Sequence, residues 1–483
     1  MLRPVLFVVV LVCLLSCGGG GGSSDSGGSV TAKSIISPEV FGVNLRWPYL
    51  GDGIVRGGEL VRDRAFRIEQ PVGTKKYWLP IATGAASTTF QANENESYAQ
   101  LQTTTQGELA CVYHQLLDGV RSGENYDVTF TSYGVGAERT IAIYLVDENY
   151  SSLLSVPNLE FTSGADMWKV HTIAVNPSLS SSMALLGVCK QGSGGGVNVK
   201  DIRMSENGAF PAVKSLVKER MQSLGVKSLR WPGGTYADTF VWQESVGALE
   251  ARSEQAVYEG GEIVDYQTVS LGLHEFLDLC ESLAVEPVIT VNVNQDVASA
   301  EALIEYILGD ASTTQGALRA QNGRANPWEV RYFEIGNEPS LSYQGGGVVQ
   351  NIGASYAQQA LLSIDAMQSK ARAIGNSIHV AGIVESSFHM ADWLSSSHPL
   401  ETVQMLANWN QQVFDSVAGI SNSVDAVNSH FYSYFSFHAD EQTRFEHLMS
   451  AGALFDQTLI DLRSVSEKPF WVTEYQAIVE QNG

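Results

Sequence analysis

The chain has 483 residues, too many for one small module and, at ~100–200 residues per domain, enough for two to four domains. A 44% hydrophobic and 9% aromatic composition excludes wholesale disorder. Acidic residues outnumber basic ones 52 to 29, for a net charge of −23 with no basic run. Such a surface repels nucleic-acid phosphates and anionic lipid, so nucleic acid is excluded as a partner and a neutral one fits better.

At the start of the chain, Arg3 precedes an apolar run over residues 5–15, long enough for a signal-peptide core and short of the ~20 residues that span a bilayer. The run ends in Leu14-Leu15-Ser16-Cys17, followed by a Gly/Ser stretch to Ser29. Leu-Leu-Ser-Cys resembles a bacterial lipobox, whose cysteine is acylated and becomes the mature N-terminus. The expected organisation is a lipoprotein signal over 1–16, lipidation at Cys17 and a flexible tether over 17–33. This places the body at the cell envelope, held on a membrane by its lipid; Gly18 after the cysteine resembles outer-membrane sorting. Of the remaining cysteines, Cys111 and Cys189 lie in strand-like runs of one region and can form a disulfide, whereas Cys280 falls on the apolar side of a helix pattern. There is no Cys-x-x-Cys pair and no Cys/His cluster at metal spacing.

Residues 34–63 contain a first strand, 40–45. Over 64–207 the texture is Thr/Ser-rich with apolar–polar alternation, clearest at 99–103, 126–131, 140–145, 169–175 and 197–204, and with turns at 118–119 and 194–196. This reads as an inserted antiparallel jelly roll or sandwich. From 208 to 483 the period changes. Val213, Leu216, Val217, Met221 and Leu224 mark a helix face before a strand at 226–231. Leu273, Phe276, Leu277, Cys280 and Leu283 mark another before 288–293. Further strands follow at 330–335, 378–384, 424–431 and 470–473. Strand–helix alternation at this spacing is the pattern of a parallel α/β sheet.

Two of these strands end in carboxylates: the fourth in Gly336-Asn337-Glu338-Pro339, the seventh in Trp471-Val472-Thr473-Glu474. In a parallel α/β barrel the C-terminal strand ends hold the active site. Two carboxyl groups facing each other at ~5–5.5 Å can hydrolyse a glycoside with retention. A lone strand-end glutamate is more ordinarily a surface or ion-paired residue; the pairing at strands four and seven reverses that reading.

Leu229-Arg230-Trp231-Pro232-Gly233-Gly234-Thr235-Tyr236-Ala237-Asp238, with Trp242 beyond, is similar to the second-strand motif of glycoside hydrolase family 51. His274-Glu275-Phe276-Leu277-Asp278, Glu286-Pro287, Phe41-Gly42 and the run from Gly57 to Phe66 match the same family. The resemblance implies a clan A (β/α)8 TIM-type barrel, with a sugar-binding-type β-sandwich inserted as in some members. It implies a retaining, α-L-arabinofuranosidase-like hydrolase of plant- or algal-type polysaccharide or oligosaccharide, with no metal or organic cofactor. It gives Glu338 as acid/base, Glu474 as nucleophile, Asn337 as holder of the 2-hydroxyl, His430 and Tyr432 as the strand-six pair lining the site, and Arg230 as a guanidinium near the nucleophile.

Arg46 stands where family members carry a glutamate that binds the sugar hydroxyls, and favours an acceptor-rich or anionic sugar. Trp231, with Trp47, Trp242 and Tyr236, can offer a flat face to a sugar or sit in the core. Glu334, four residues before Glu338, is expected inside the barrel or ion-paired, and Glu385 is a third-ranked carboxylate. With nine residues after Glu474, the eighth strand is missing and the chain reads as cut short. Two other readings stay open: another clan A enzyme (endo-glucanase, β-xylosidase or glucuronidase), and a lipid-anchored glycan-binding protein without turnover.

Overall fold

The computed structural model describes residues 42–44, 55–56, 59–70, 74–75, 77–92, 96–117, 119–206, 212–259, 262–339, 353–383, 412–413, 415, 424–434 and 468–478. The lipobox with Cys17, and Arg46, Trp47, Glu385 and His389, lie outside them.

Seven strands form one all-parallel sheet: β1 (Gly42–Asn44), β2 (Ser228–Trp231), β3 (Glu286–Val291), β4 (Tyr332–Ile335), β5 (His379–Ile383), β6 (Ala426–Tyr434) and β7 (Phe470–Ile478). Their spatial order is their sequence order, with no strand skipped. A doubly wound sheet reverses direction at a switch point, and this one does not. Crossover helices link the strands: α1 (Ser215–Ser223) before β2, α2 (Leu273–Leu283) before β3, α3 (Val297–Leu308) and α4 (Thr314–Gln321) before β4, and α5 (Gly353–Ala373) before β5. Every residue of β2 is buried, as expected for a parallel strand covered on both faces.

Helix α2 shows how local sequence sets an element. Leu273, Phe276, Leu277 and Cys280 recur at helical spacing and are all buried, Cys280 as a free thiol. At its start the Glu275 carboxylate accepts from the Gly272 N–H (2.8 Å) and pairs with Arg252 (2.6 Å), so a buried charge is neutralised and bonded at once. Gly272 admits no side chain, because a Cβ there would lie 1.9 Å from the Ser245 carbonyl. In α1 the buried face is narrower than the periodicity predicts. Met221 is buried, but Leu216 and, just past the helix end, Leu224 are 62% and 61% exposed, because a helix of little more than two turns turns only one stripe inward; Val213, also buried, lies in the short strand Ala212–Val213 that precedes it.

Between β1 and β2 lie two two-stranded pairings, Glu69–Gln70 with Thr74–Lys75 and Val55–Arg56 with Ala212–Val213, and two larger sheets, antiparallel but for one short pair. One has five strands, in the order Leu159–Thr162, Thr140–Val146, Leu185–Gln191, Leu109–Gln115 and Trp78–Ala82. The other runs Gly164–Ala165, Tyr126–Gly134, Gly196–Glu206, Ser97–Gln102 and Ser87–Ala92, with Trp168–Val175 paired to Tyr126–Gly134. Val112, Ile143 and Val188 of the first and Leu101, Phe130 and Val199 of the second are fully buried in one apolar core. Tyr126–Gly134 alternates buried and half-buried residues along its whole length, which is why its sequence reads as a strand. Leu109–Gln115 has no such rhythm, since five of its seven residues are buried consecutively. Its outer face lies under a second small cluster holding Cys111, Tyr113, Val146 and Cys189. Cys111 and Cys189 are register partners on neighbouring antiparallel strands and form a disulfide.

Polar side chains join the sheets of the insert to the parallel-sheet region. Arg203 bonds Glu59 (2.9 Å) and the Leu249 carbonyl (2.9 Å), Arg62 pairs with Asp265 (3.6 Å), and Arg64 and Arg67 both reach Glu254.

Candidate active site

At the end of β4 the backbone turns sharply. Gly336 has φ +83°, a conformation that favours glycine, and a Cβ there would press on the side chains of Asp238 and Val293 at 3.3 Å. Glu338 has φ +47°, a left-handed conformation that a non-glycine residue holds at a cost of about 1–3 kcal/mol and only where its surroundings fix it. The turn is held from three sides. Gly336 N–H donates to the Val291 carbonyl (2.8 Å), the Tyr356 hydroxyl to the Ile335 carbonyl (2.7 Å), and the Asn337 N–H to both carboxylate oxygens of Asp238 (3.0 and 3.1 Å). Asp238 comes from the short 3-10 turn Thr235–Asp238 after β2 and is 1% exposed. Burial pushes its pKa up to about 7, against the pull of the Asn337 N–H and of the Arg230 charge.

Beneath the turn lies a buried polar layer. Arg230 on β2 forms a hydrogen-bonded ion pair with Glu334 on β4, and its Nη2 donates to Asn337 Oδ1 (2.9 Å). Glu334 also accepts from Thr290 Oγ1 on β3 (2.6 Å) and from Asn428 Nδ2 on β6 (2.5 Å). Arg230 is 4% exposed, and Glu334, Asn337 and Asn428 are fully buried. Arg230 therefore acts on Glu334 and Asn337. Among the described residues Asn337 Nδ2 has no hydrogen-bond partner, so a buried donor beside Glu338 stands ready for an acceptor.

His430 on β6 relates Glu338, just past the end of β4, to Glu474, which stands within β7 and not at a strand end as its sequence pattern predicts, because the pairing with β6 continues to Ile478. Its Nδ1 lies 3.0 Å from Glu338 Oε1, and its register partner on β7 is Glu474, just past an irregularity in the β6–β7 pairing. The backbone of Glu474 thus adjoins a residue whose ring touches Glu338. Tyr432 follows two residues along β6, opposite Gln476.

Trp231 does not offer its ring to a ligand. It is 1% exposed, stacked on Phe276 (5.3 Å), edge-on to Phe240 (4.9 Å), and its indole N–H donates to the Leu271 carbonyl. A strand with both faces covered leaves a large ring no route to solvent. Tyr236 and Trp242 are buried likewise, Trp242 donating to Ser299. His274 is a core residue bonded to the Tyr306 hydroxyl (2.7 Å), and His379 stacks on Tyr332. Sequence reasoning assigned no role to Asp238, Thr290 or Asn428. Asn428 was within reach, since it precedes His430 by two on the same strand; Asp238 was not, because its partner is 99 positions away.

Residues 220–449 match the family model described as the α-L-arabinofuranosidase 1 domain. An intracellular exo-α-L-arabinofuranosidase of Bacteroides ovatus is 36% identical over 140 residues, 28% of this chain and 27% of that protein. α-L-Arabinofuranosidase A of Aspergillus kawachii is 33% identical over 187 residues (34% and 27%), and α-L-arabinofuranosidase C of Emericella nidulans 30% over 188 (38% and 35%). The matches thus span about a quarter to a third of those relatives' length. An arabinose-bound α-L-arabinofuranosidase of glycoside hydrolase family 51 has a similar fold, with a TM-score of 0.60 at 16% identity, over 90% of this chain and 66% of that one.

Proposed function

We propose that this chain, a relative of the α-L-arabinofuranosidases of glycoside hydrolase family 51, is a retaining, arabinofuranosidase-like glycoside hydrolase of polysaccharide or oligosaccharide. The observation that carries this reading is His430, bonded to Glu338 and paired in register with Glu474. In the proposed reaction Glu338 gives its proton to the glycosidic oxygen while Glu474 attacks the anomeric carbon, releasing the leaving group and forming a glycosyl-enzyme. Glu338, now a carboxylate, takes a proton from water, which attacks the same carbon and frees Glu474. Asn337 Nδ2 would donate to the sugar's 2-hydroxyl oxygen. Asp238 and the Arg230–Glu334 pair hold the turn that carries Glu338.

The finer architecture belongs to the same proposal: the parallel sheet closes as a (β/α)8 barrel, and the insert is a jelly roll with a carbohydrate-binding role. The buried polar layer supports the closure. Glu334 on β4 is flanked two strands away on either side by Arg230 on β2 and Asn428 on β6. Its carboxylate bonds both side chains, and a buried layer built from alternate strands is the packing of a barrel interior. Lipidation at Cys17 and an envelope location complete the reading, with Arg46 and Tyr432 as further sugar contacts.

The test is turnover of an aryl α-L-arabinofuranoside by Glu338→Ala and Glu474→Ala variants. Each is expected to lose activity by several orders of magnitude. Near-wild-type turnover in either refutes the assignment.

A further inference from the structure

The six-stranded path of the insert turns one face to the core and the other outward. On the outward face the registers line up one rung of side chains: Thr89 opposite Gln100, Gln100 opposite Asn198, Asn198 opposite Tyr133, and Tyr133 opposite Trp168. Five strands at ~4.8 Å make this rung roughly 19 Å long. Thr89 is exposed and the other four are half-exposed. Tyr98 adds a third aromatic, its ring 6.1 Å from Trp168, while Tyr133 lies 5.5 Å from it.

The rung is braced from within the sheet. Lys200 lies over the Trp168 ring at 4.1 Å and is paired with Glu96 at 2.5 Å. Asp166 accepts from the Gly136 N–H (2.7 Å) and lies 3.4 Å from the Tyr133 hydroxyl. Gln100 donates to Asn198 (3.4 Å). Such ordering lowers the entropy a ligand must offset on binding. On the outer face of the five-stranded sheet the tyrosines pack around the disulfide instead of lining up across the strands: Tyr113 is buried beside it and Tyr144 is half-buried, its hydroxyl accepting from Asn158 (3.0 Å).

We infer that this rung is a glycan-binding site, distinct from the strand-end site, for an extended neutral polysaccharide lying across the strands. Aromatic rings offer apolar faces to sugar C–H groups, and amides and hydroxyls supply both donors and acceptors to sugar hydroxyls. The five rung residues carry no charge, Lys200 is matched by Glu96, and the Asp166 carboxylate beside Tyr133 favours an uncharged chain over an anionic one. A polyuronate would meet a protein of net charge −23. The inference rests on the carbohydrate-binding role proposed for the insert, which it locates on one face, and takes its choice of probe from the glycosidase reading.

The experiment is affinity electrophoresis of the full chain, carrying Glu338→Ala to prevent digestion, through gels with soluble arabinan, arabinoxylan or polygalacturonate. A neutral polymer is expected to retard the protein. Trp168→Ala and the pair Gln100→Ala/Asn198→Ala should each weaken binding at least tenfold, with Trp168→Tyr restoring part of it. In the chain with Glu338 intact, these changes should leave aryl-glycoside kcat/KM within twofold. If Trp168→Ala does not fold, the amide pair decides. Retention unchanged in the amide pair, retention by polygalacturonate alone, or no retention by either neutral polymer overturns the inference. Turnover without retention sinks this site and spares the glycosidase reading; rung-dependent retention without turnover does the reverse.

Discussion

Replacing Asp238 with asparagine should change how stability depends on pH. The carboxyl group is 1% exposed, and its pKa rises from 3.8 to about 7, chiefly because burial disfavours the charged form. In the unfolded chain it returns to roughly 3.9. Below pH 4 it is protonated in both states and contributes nothing to the pH dependence. Between pH 4 and 7 the unfolded chain releases its proton while the folded one keeps it. Each pH unit in that window therefore costs the native state about 1.4 kcal/mol, or on the order of 4 kcal/mol across the window. Asparagine is uncharged throughout, and its carbonyl oxygen can still accept from the Asn337 N–H now held at 3.0 Å. Urea unfolding of both proteins at pH 4.5 and pH 8, extrapolated to water, measures the difference. The variant should gain several kcal/mol relative to wild type between the two. A stability difference constant to within 1 kcal/mol would refute the argument, and with it the view that Asp238 is kept protonated by burial.

Replacing Cys111 and Cys189 by alanine removes a cross-link between residues 78 apart in sequence, and chain entropy assigns it about 4 kcal/mol. Urea unfolding with and without reductant checks this: wild type should shift toward the variant when reduced, and no shift counts against the prediction. Arg230→Met should cost about 3–5 kcal/mol, because it strands the fully buried Glu334 carboxylate without its cation. Adding Glu334→Gln should recover much of that loss in the same assay. A double variant less stable than the single would show that the charge pair is not the reason.

Much of the parallel sheet was legible because its signals are local. The stretches at 226–231, 288–293 and 330–335 are short β-branched runs bounded by helical periods, and the structure has β2, β3 and β4 there, shifted by two residues or fewer at each end. The hairpin of Glu254–Glu259 and Glu262–Thr268 was not foreseen. It lies between two strong α/β signals, and part of its alternation is spent on buried polar contacts such as Gln255 with Val241 and Gln267 with Asp265. Trp231 shows the limit on the site. Nothing near it in sequence says whether an aromatic residue beside a site motif faces a ligand or the core; Phe276, 45 positions on, decides it.

The amino-acid sequence by itself determined the strand–helix alternation, the antiparallel texture of the insert and the association of Glu338 and Glu474 with the fourth and seventh strands, since periodicity and chain order are properties of neighbouring residues. Only the tertiary structure decided which distant residues meet. Arg230, Glu334 and Asn428 converge from three strands, Asp238 clamps a turn 99 positions away, and Thr89 to Trp168 align on one rung. Those contacts depend on strand register and sheet curvature. A one-residue slip in either would turn the same side chains to the opposite face.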